Sequence, residues 1–413
     1  MRSRIVDHAH LRVLIAGNNF AFPEGQGASA RVRAVGLGLL RAGANVEVVA
    51  TSYSVQPGDQ ASNLRAAGWI DGIHYSHSTG TPLPSDSRVV RRWRRLRGYS
   101  GACLLAAGLG GPPPDAVLFF LNDSFALPLA VGSAARLRWS VLLLDGCELP
   151  FVYRQSDFKT QVSRAAYAKG FLNWYDGIFA ISRHLEAYYR GCVGVGTAVM
   201  RLPILVDCDR FERREPTRGA ADPPYIAYCG SLRTSKGIAT LLRAFRVIAS
   251  RHPNVTLRLT GLAEPRAYRE ELERLVSDLD LGERVRFLGL IPADDMPGFL
   301  QAAAALVVPH PAGDFSDAAF PTKLGEYLAS GAPVVATRVG EIEEYLTDGR
   351  SAFLADPGQW ESLVRALDVV FSNPERARLV GSQGAAVARR EFDIGRHGHR
   401  LYEFIRDLRE RKR

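Results

Sequence analysis

The fold is decided first by residues 12–50, which read RVLIAGNNFAFPEGQGASARVRAVGLGLLRAGANVEVVA. A short apolar run over residues 12–16 is followed by a loop rich in Gly, Pro and Asn over residues 17–27. A segment with apolar residues at helical spacing comes next, and a second apolar run, residues 46–49, follows Gly43. This order predicts a strand, a glycine-containing loop, a helix and a second strand.

Short apolar runs alternate with helix-length segments along the rest of the chain. Helical spacing is clear in residues 238–250 and 267–279. This alternation predicts mostly parallel sheets covered by helices on both faces, because parallel strands need crossover connections. The further runs that we predict as strands are residues 116–121, 140–144, 178–181, 225–228, 256–260, 285–288, 305–308 and 333–336.

A polar stretch with three prolines, ERREPTRGAADPP over residues 212–224, separates two such alternations. We interpret it as a linker between two Rossmann-like α/β domains, each with a doubly wound parallel sheet. This places an N-terminal domain at residues 1–205 and a C-terminal domain at residues 206–390. Ligands of such sheets bind at the carboxyl ends of the strands, so we expect two sheets facing a central cleft.

Composition excludes several classes of protein. Of the 413 residues, 46% are hydrophobic and 23% charged, which is typical of globular chains and not of disordered, collagen-like or coiled-coil ones. Residues 98–114 form a long uncharged stretch, but glycines interrupt it, it ends in prolines, and it falls short of the roughly 18 apolar residues that a membrane span needs. Residues 1–17 lack the continuous apolar core of a secretory signal. We therefore expect a cytoplasmic protein.

Net charge and cysteine content limit the kinds of partner that the sequence predicts. The chain has 52 Lys and Arg against 43 Asp and Glu, a net charge of +9 that favours anionic partners such as phosphorylated small molecules, nucleic acid or acidic lipids. The cysteines form no C-x-x-C pair, so they predict neither a disulfide framework nor a zinc site. They are Cys103, Cys147, Cys192, Cys208 and Cys229.

One segment, RVVRRWRRLR, starts at Arg88, ends at Arg97 and contains six arginines. Val89, Trp93 and Leu96 recur in it at helical spacing. Such a helix could lie on anionic lipid headgroups, at the inner membrane face, or its apolar stripe could simply pack on the domain. Nucleic-acid binding is disfavoured, because few aromatic residues lie among the arginines.

The segment GSLRTSKG, which starts at Gly230 and ends at Gly237, directly follows the apolar run YIAYC. A glycine-containing loop between a strand and a helix offers backbone N–H groups and a nearby cation, here Lys236 or Arg233, to a phosphate. The spacing is not that of a Walker P-loop. A solvated loop with no ligand is the alternative for this segment taken alone.

The segment FPTKLGEYLASGAPVVAT starts at Phe320. We expect Pro321 to open a helix and Gly331 to close it. Lys323 and Glu326 are three residues apart and share a helix face, so the cation and free N–H groups would suit anionic oxygens while the carboxylate accepts hydrogen bonds from vicinal hydroxyls. The alternative is a surface ion pair.

Together these segments resemble the retaining glycosyltransferases of family 4, which have the GT-B fold, in the branch with the form FPxKL-EYLASG. The resemblance covers nearly the whole chain. Besides the segments quoted above, it rests on DGIFAISRHLEAYY with RLPILVDCDRF, on LRLTG and on RVRFLGLIPADDMPGFLQAAAALVVP. It also implies that residues 391–413 form a helix that crosses back to the N-terminal domain.

The resemblance implies transfer of a sugar from a UDP- or GDP-sugar to a saccharide, lipid-linked or small-molecule acceptor, with no cofactor and no metal. Lys236 would contact the diphosphate, Glu326 would hold the ribose hydroxyls, and the loop from Gly25 to Gly27 would approach the phosphates closely. The configuration at the sugar carbon would be retained if the acceptor attacks the face that the diphosphate leaves, with a phosphate oxygen taking the acceptor proton. The donor-binding residues implied in this way are Gly25, Gly27, Gly230, Ser231, Arg233, Lys236, Pro321, Thr322, Lys323, Leu324 and Glu326.

Two departures from the family pattern bear on activity. The first acid of its E-x7-E motif falls at Ala318, and Asp314 or Asp317 would have to substitute for it. After the run SVLLLDGCELPF the family often has a histidine, whereas this chain offers Asp145 and Glu148 as a general base or sugar ligand. A turn aspartate and a solvated glutamate are the alternative there.

Three other functions compete with this interpretation. A metal-dependent GT-A transferase would use a D-x-D sequence, which ILVDCD over residues 204–209 fits only in wording. A dinucleotide-dependent oxidoreductase would need G-x-G-x-x-G and an acid after the second strand, and the chain has neither. The serious alternative is a non-catalytic protein of the same fold that binds a sugar nucleotide or a partner, because Ala318 replaces an acid.

Overall fold

The computed structural model describes residues 10–18, 20–25, 27–53, 63–120, 125–149, 161, 165, 167, 170–212, 223–263, 266–313 and 320–412. The chain divides into two compact units. Unit 1 comprises Met1–Leu202 together with Ile394–Arg413, and unit 2 comprises Pro203–Asp393. Each unit is built on one sheet.

Unit 1 has an eight-stranded sheet in the order β3-β4-β2-β1-β5-β6-β7-β8. Every neighbouring pair is parallel except β3 and β4, which pair antiparallel. The strands are β1 Arg12–Gly17, β2 Asn45–Ala50, β3 Ala67–Ile70, β4 Ile73–His77, β5 Ala116–Phe120, β6 Val141–Gly146, β7 Gly177–Ala180 and β8 Ala198–Arg201. The helices, with one 3₁₀ turn at Phe171–Trp174, are α1 Gly27–Arg41, α2 Arg88–Ala106, α3 Ala126–Arg136 and α4 Arg183–Cys192.

Unit 2 has a six-stranded sheet, parallel throughout, in the order β11-β10-β9-β12-β13-β14. Its strands are β9 Tyr225–Cys229, β10 Thr256–Thr260, β11 Val285–Gly289, β12 Ala305–Val308, β13 Val334–Thr337 and β14 Phe353–Ala355. Its helices are α5 Asp209–Glu212, α6 Ile238–Arg251, α7 Arg266–Asp278, α8 Met296–Gln301, α9 Leu324–Ala329, α10 Ile342–Tyr345, α11 Trp360–Ser372 and α12 Pro374–Glu391. Two 3₁₀ turns lie at Thr234–Lys236 and Gly282–Arg284.

The strand order of each sheet reverses at one point. In unit 2 the chain runs outward from β9 through β10 to β11, then returns to the other side of β9 with β12. In unit 1 the same reversal separates β1 from β5. A crevice forms at the carboxyl ends of the strands on either side of such a reversal, and this is where doubly wound sheets bind ligands.

The last helix, α13 Ile394–Lys412, belongs to unit 1 and packs on α1. The two helices approach closely where Gly38 faces Gly398, since a Cβ on Gly398 would lie 2.0 Å from the Gly38 carbonyl oxygen. At the far end of α13, Lys412 Nζ donates to Asp176 Oδ2 over 2.6 Å. Only small residues permit the helix crossing, and the ion pair fixes the end of the chain on unit 1.

The predicted strands all appear within a residue or two of their expected bounds, whereas β3, β4, β8 and β14 were not predicted. The prediction that Pro321 opens a helix is wrong: α9 begins at Leu324. The Leu324 N–H donates to the Pro321 carbonyl over 3.0 Å, so residues 321–324 form a tight turn instead of an α-helical one.

The apolar stripe of α2 does not pack on the domain, which contradicts that alternative for the arginine-rich segment. The exposed fractions are 76% for Val89, 59% for Trp93 and 69% for Leu96. Ser87 caps the helix by accepting a hydrogen bond from the Val90 N–H. No described helix is both long enough and apolar enough to cross a membrane.

Candidate donor site at the carboxyl ends of β9 and β12

The loop after β9 is held tightly against the end of β12. Thr234–Lys236 forms a 3₁₀ turn, and Gly237 then takes a left-handed conformation with φ +72° before α6 begins. A Cβ at Gly237 would lie 1.8 Å from the Pro309 carbonyl oxygen. Only glycine therefore allows the loop that carries Lys236 to sit beside the residue that follows β12.

His310 is the second residue after β12 and is 9% exposed. Burial, together with the smaller effect of the nearby positive charge of Lys236, lowers the pKa of His310 to about 3. Thr337 Oγ1 at the end of β13 donates to the His310 carbonyl oxygen over 2.7 Å. The His310 imidazole is therefore neutral at physiological pH.

Tyr327 of α9 joins that helix to the end of β9. Its hydroxyl accepts a hydrogen bond from the Cys229 N–H over 2.6 Å, and the Cys229 carbonyl oxygen lies 3.3 Å away as its acceptor. Burial raises the pKa of the Cys229 thiol to about 12, while the charge of Lys323 acts in the opposite direction. Lys323 therefore lies near the carboxyl end of β9, on the same edge of the sheet as Lys236.

Lys323 and Glu326 form an ion pair, with Lys323 Nζ donating to Glu326 Oε2 over 2.8 Å. Their side chains are 26% and 19% exposed, so the pair is only partly solvated. Burial by itself disfavours the Lys323 charge, but the Glu326 carboxylate outweighs it and the pKa of Lys323 is raised. The ammonium group stays charged and holds the carboxylate in one orientation.

The other predicted donor residues of unit 2 lie on the same two loops. Gly230 has φ +155°, and the Ser231 carbonyl oxygen accepts a hydrogen bond from the Tyr228 hydroxyl over 3.0 Å. Arg233 directly precedes the 3₁₀ turn. Pro321 and Leu324 are buried, whereas Thr322 is exposed. The structure thus brings residues 230–237 and 321–326 to one edge of the unit 2 sheet.

Gly25 and Gly27 lie in unit 1, after β1. A Cβ on Gly25 would lie 2.1 Å from Ser29 Oγ, so the need for glycine there comes from the protein's own α1. Gly27 is the first residue of α1. Both lie after the end of the strand that borders the strand-order reversal in unit 1.

Asp145, at the end of β6, accepts hydrogen bonds from Arg31 of α1 on both of its carboxylate oxygens. Arg31 Nε donates to Asp145 Oδ2 and Arg31 Nη2 to Oδ1, each over 3.0 Å. The two side chains are 4% and 1% exposed, and Arg31 Nη2 also donates to the Leu202 carbonyl over 3.1 Å. Although burial disfavours its charge, the pKa of Arg31 is raised by the Asp145 carboxylate. This geometry favours a structural role for Asp145 in a buried ion pair, and neither a general base nor the turn aspartate of the alternative.

The structure gives fewer contacts for the remaining candidate acids. Glu148 is half-buried, and its backbone carbonyl accepts a hydrogen bond from the Tyr189 hydroxyl over 3.1 Å. Asp314, Asp317 and Ala318 lie outside the described residues. Within the ranges given above, no three His, Cys, Asp or Glu side chains are grouped so that they could hold a metal ion.

Sequence reasoning missed three residues that build these sites. Tyr327 lies in the segment that starts at Phe320, but the local pattern does not distinguish it from an ordinary apolar residue of a helix. His310 is the second residue after a buried strand, and a polar residue near a strand's carboxyl end was the signal that could have found it. Arg31 pairs with a residue 114 positions away, which no local pattern reveals.

Similar solved structures identify the fold. Sucrose-phosphate synthase from Thermosynechococcus elongatus superposes with a TM-score of 0.73 over 97% of this chain and 99% of that one, at 23% sequence identity. HepE from Anabaena, in complex with UDP, gives 0.65 over 96% and 100% at 17% identity. The chain has the GT-B fold of these proteins, two doubly wound α/β domains in one chain.

At the level of sequence, residues 209–386 match the family model for glycosyl transferases group 1. That range contains both loops of the candidate site. The GDP-mannose-dependent alpha-(1-6)-phosphatidylinositol monomannoside mannosyltransferase of Mycolicibacterium smegmatis is 29% identical over 247 residues, which are 57% of this chain and 63% of that protein. The chain therefore spans less than two thirds of the length of this relative.

Proposed function

We propose that this chain is a retaining, metal-independent glycosyltransferase of family 4 that moves a sugar from a UDP- or GDP-sugar to a saccharide, lipid-linked or small-molecule acceptor. The observation that carries the proposal is that Lys236, on the loop after β9, and the Lys323–Glu326 ion pair at the start of α9 lie at one edge of the unit 2 sheet. Two cations and one oriented carboxylate match the charge pattern of a nucleoside diphosphate, whose phosphates are anionic and whose ribose offers hydroxyl donors.

The cations would act on the leaving group. As the bond between the sugar carbon and the diphosphate breaks, negative charge grows on the departing phosphate oxygen, and Lys236 with the neighbouring backbone N–H groups stabilises it. The acceptor oxygen forms the new bond to the same carbon, and its proton passes to a phosphate oxygen. Attack on the face that the diphosphate leaves would retain the configuration, as the family resemblance implies.

Glu326 would set the position of the nucleoside. Its carboxylate already accepts a hydrogen bond from Lys323 and has further lone pairs for the vicinal ribose hydroxyls. Two named proteins support a nucleotide donor: the mycobacterial relative is GDP-mannose-dependent, and the similar HepE structure contains UDP. Residues 25–27 of unit 1 would approach the phosphates, with the acceptor held by the same unit.

We also propose that the protein works in the cytoplasm, in the assembly of a polysaccharide or related glycan, with peripheral attachment to the inner membrane face. The support is the exposed arginine-rich part of α2. Neither a cofactor nor nucleic acid is part of this proposal.

The test is turnover of a panel of UDP- and GDP-sugars with mixed acceptors in excess EDTA. We expect transfer to continue in EDTA and to fall at least about 100-fold in Lys236→Ala, because one preorganised charge on the leaving group is removed. Arg243→Ala, an exposed arginine on α6, is the matched control and should leave transfer unchanged.

Two results would decide against the proposal. Complete loss in EDTA that manganese restores would favour a metal-dependent transferase. Tight nucleotide-sugar binding without hydrolysis or transfer, unaffected by Lys236→Ala, would favour the alternative, a non-catalytic protein of the same fold.

A further inference from the structure

Helix α2 presents apolar residues to solvent along one face. Val89, Trp93, Leu96 and Leu104 are separated by four, three and eight residues, which places them on one side of an α-helix. Leu104 is 49% exposed, and the other three are exposed still further. Single exposed apolar residues are ordinary, but four aligned on one helix mark a surface that something else covers.

Arginines surround the part of the stripe nearest the helix start. Arg91 Nη1 donates to the Ser85 carbonyl over 2.9 Å and Arg94 Nη1 to the Leu83 carbonyl over 3.3 Å, so these two tie the helix to its own unit. The remaining four are exposed, and the helix itself contains no acidic residue. The exposed arginines are Arg88, Arg92, Arg95 and Arg97.

The position of α2 relates this stripe to the ligand-binding edge of the unit 1 sheet. Buried Gly98 passes over Thr51, since a Cβ there would lie 3.1 Å from the Thr51 carbonyl oxygen. Thr51 in turn donates through its N–H and its Oγ1 to the carbonyl of Gly17, the last residue of β1. At the other end of α2, the Ala107 carbonyl accepts from Arg138 shortly before β6 begins, at the amino edge of the sheet.

The helix therefore runs against the strand direction. Its first ten residues, about 15 Å of helix, lie on the carboxyl-edge side of Thr51. The glycine-containing loop after β1 leaves the sheet at that same edge. The charged and apolar part of α2 is thus on the side of the sheet where unit 1 would receive a ligand.

We propose that this first part of α2 docks on an anionic lipid bilayer, with Val89, Trp93 and Leu96 in the interfacial region and the exposed arginines on the headgroups, and that the acceptor is a lipid-linked molecule of the same bilayer. The choice of acceptor rests on the proposed function. A second copy of the chain would bring two arginine clusters together, which like-charge repulsion opposes. The indole of Trp93, with the Arg97 guanidinium 5.8 Å from its ring, has the amphipathic character that favours a membrane interface.

Docking is tested by a flotation assay. It compares vesicles of phosphatidylcholine containing about 30% phosphatidylglycerol with vesicles of phosphatidylcholine alone. We expect the full chain to float with the anionic vesicles and to be released by high salt. Arg92→Gln with Arg95→Gln should lower the partition coefficient about 30-fold, and Trp93→Ser about tenfold. The matched controls are Arg243→Gln and Leu379→Ser, exposed residues of unit 2, which should float like the wild type.

Four docking results would overturn the proposal, provided that circular dichroism shows the variants folded. They are equal flotation with neutral vesicles, flotation that the α2 variants do not change, binding to single-stranded RNA in place of vesicles, and a dimer on gel filtration that Trp93→Ser dissociates. A bromolipid that quenches wild-type fluorescence but not that of Trp93→Phe would support insertion of this side chain.

The acceptor arm uses labelled UDP- and GDP-sugars with vesicles of a total bacterial lipid extract. We expect label to enter the chloroform–methanol phase and to fall at least about tenfold with Trp93→Ser, while UDP binding measured by calorimetry stays unchanged. Transfer to water-soluble acceptors only, at a rate that vesicles and the α2 variants do not alter, would overturn the choice of acceptor. UDP binding without turnover of any donor, together with normal flotation, would instead contradict the proposed function and leave the docking surface standing.

Discussion

The Tyr327 hydroxyl accepts a hydrogen bond from the Cys229 N–H over 2.6 Å, and this bond ties α9 to the carboxyl end of β9. Tyr327 is 1% exposed, and its neighbour in sequence is Glu326, which the proposed function places on the ribose. Gly230 and the loop that carries Lys236 follow Cys229 directly. One buried phenol thus sets the spacing between the two loops that would hold a nucleoside diphosphate.

Tyr327→Phe should therefore weaken both folding and donor binding. The substitution keeps the ring packed but leaves the buried Cys229 N–H without its acceptor, and we expect the free energy of unfolding to fall by about 1–3 kcal/mol. UDP affinity, measured by calorimetry at a temperature where the variant is folded, should fall by about tenfold because the two loops lose their common anchor. Tyr402→Phe, on α13 of unit 1, is the control. An unchanged UDP affinity would show that Tyr327 supports the fold alone.

The Arg31–Asp145 pair gives a second prediction, on stability. Asp145→Asn or Arg31→Met alone leaves a buried charge or polar group poorly compensated, and each should cost about 3–5 kcal/mol. The double variant Arg31→Met with Asp145→Asn should lose less free energy of unfolding than the sum of the two single losses, and urea unfolding of all four proteins measures the difference. A general base behaves differently: Asp145→Asn would then abolish transfer while leaving the unfolding midpoint nearly unchanged.

The central strands of both sheets could be predicted from sequence because they are buried on both faces. Strands such as β5 and β13 are short apolar runs. Such runs are typical of parallel strands that are buried on both faces. The edge hairpin of β3 and β4 carried no such signal. Its Trp69 is 72% exposed, and His74 and His77 interrupt the apolar pattern.

The candidate site, like the fold, could be predicted only in part. The loops at residues 230–237 and 320–331 could be located, because a glycine-containing segment after an apolar run is a local pattern. The start of α9 could not, since a turn at Pro321 and a helix beginning there have similar sequences. The packing of Tyr327 on Cys229, 98 positions away, and of Arg31 on Asp145 depends on the tertiary fold and leaves no local trace. The exposed face of α2 was equally undetermined, because an apolar stripe has the same spacing whether it meets the core or solvent.

His310 predicts a loss of stability in acid. Its pKa is about 3 in the folded chain against an ordinary value of 6.5, so between these pH values the unfolded chain binds a proton that the folded chain does not. Stability therefore rises with pH across this window and is lost as the pH falls from about 6.5 toward 3, by up to roughly 5 kcal/mol. His77, whose pKa is also lowered by burial, acts in the same direction.

His310→Gln isolates that contribution. The variant cannot bind the proton in either state, so its stability should depend less steeply on pH between about 3.5 and 6.5 than that of the wild type. Urea unfolding at a series of pH values measures both slopes. Parallel curves would mean that the imidazole is already solvated in the folded chain, which would contradict its placement between β12 and Lys236.

Gly237 connects the fold to the proposed donor site most directly. Its φ of +72° already disfavours any residue with a Cβ, and that Cβ would lie 1.8 Å from the Pro309 carbonyl oxygen, a rigid backbone atom that cannot turn aside. Gly237→Ala should therefore lower the free energy of unfolding by more than about 3 kcal/mol, or displace the loop and with it Lys236. Thermal unfolding and UDP calorimetry together detect either result. Gly191→Ala is the matched control, because nothing lies within 4 Å of a Cβ in that helical position, and it should be neutral or stabilising by up to about 1 kcal/mol. If the two alanine variants unfold alike and bind UDP alike, the loop after β9 does not pass β12 as closely as the structure places it.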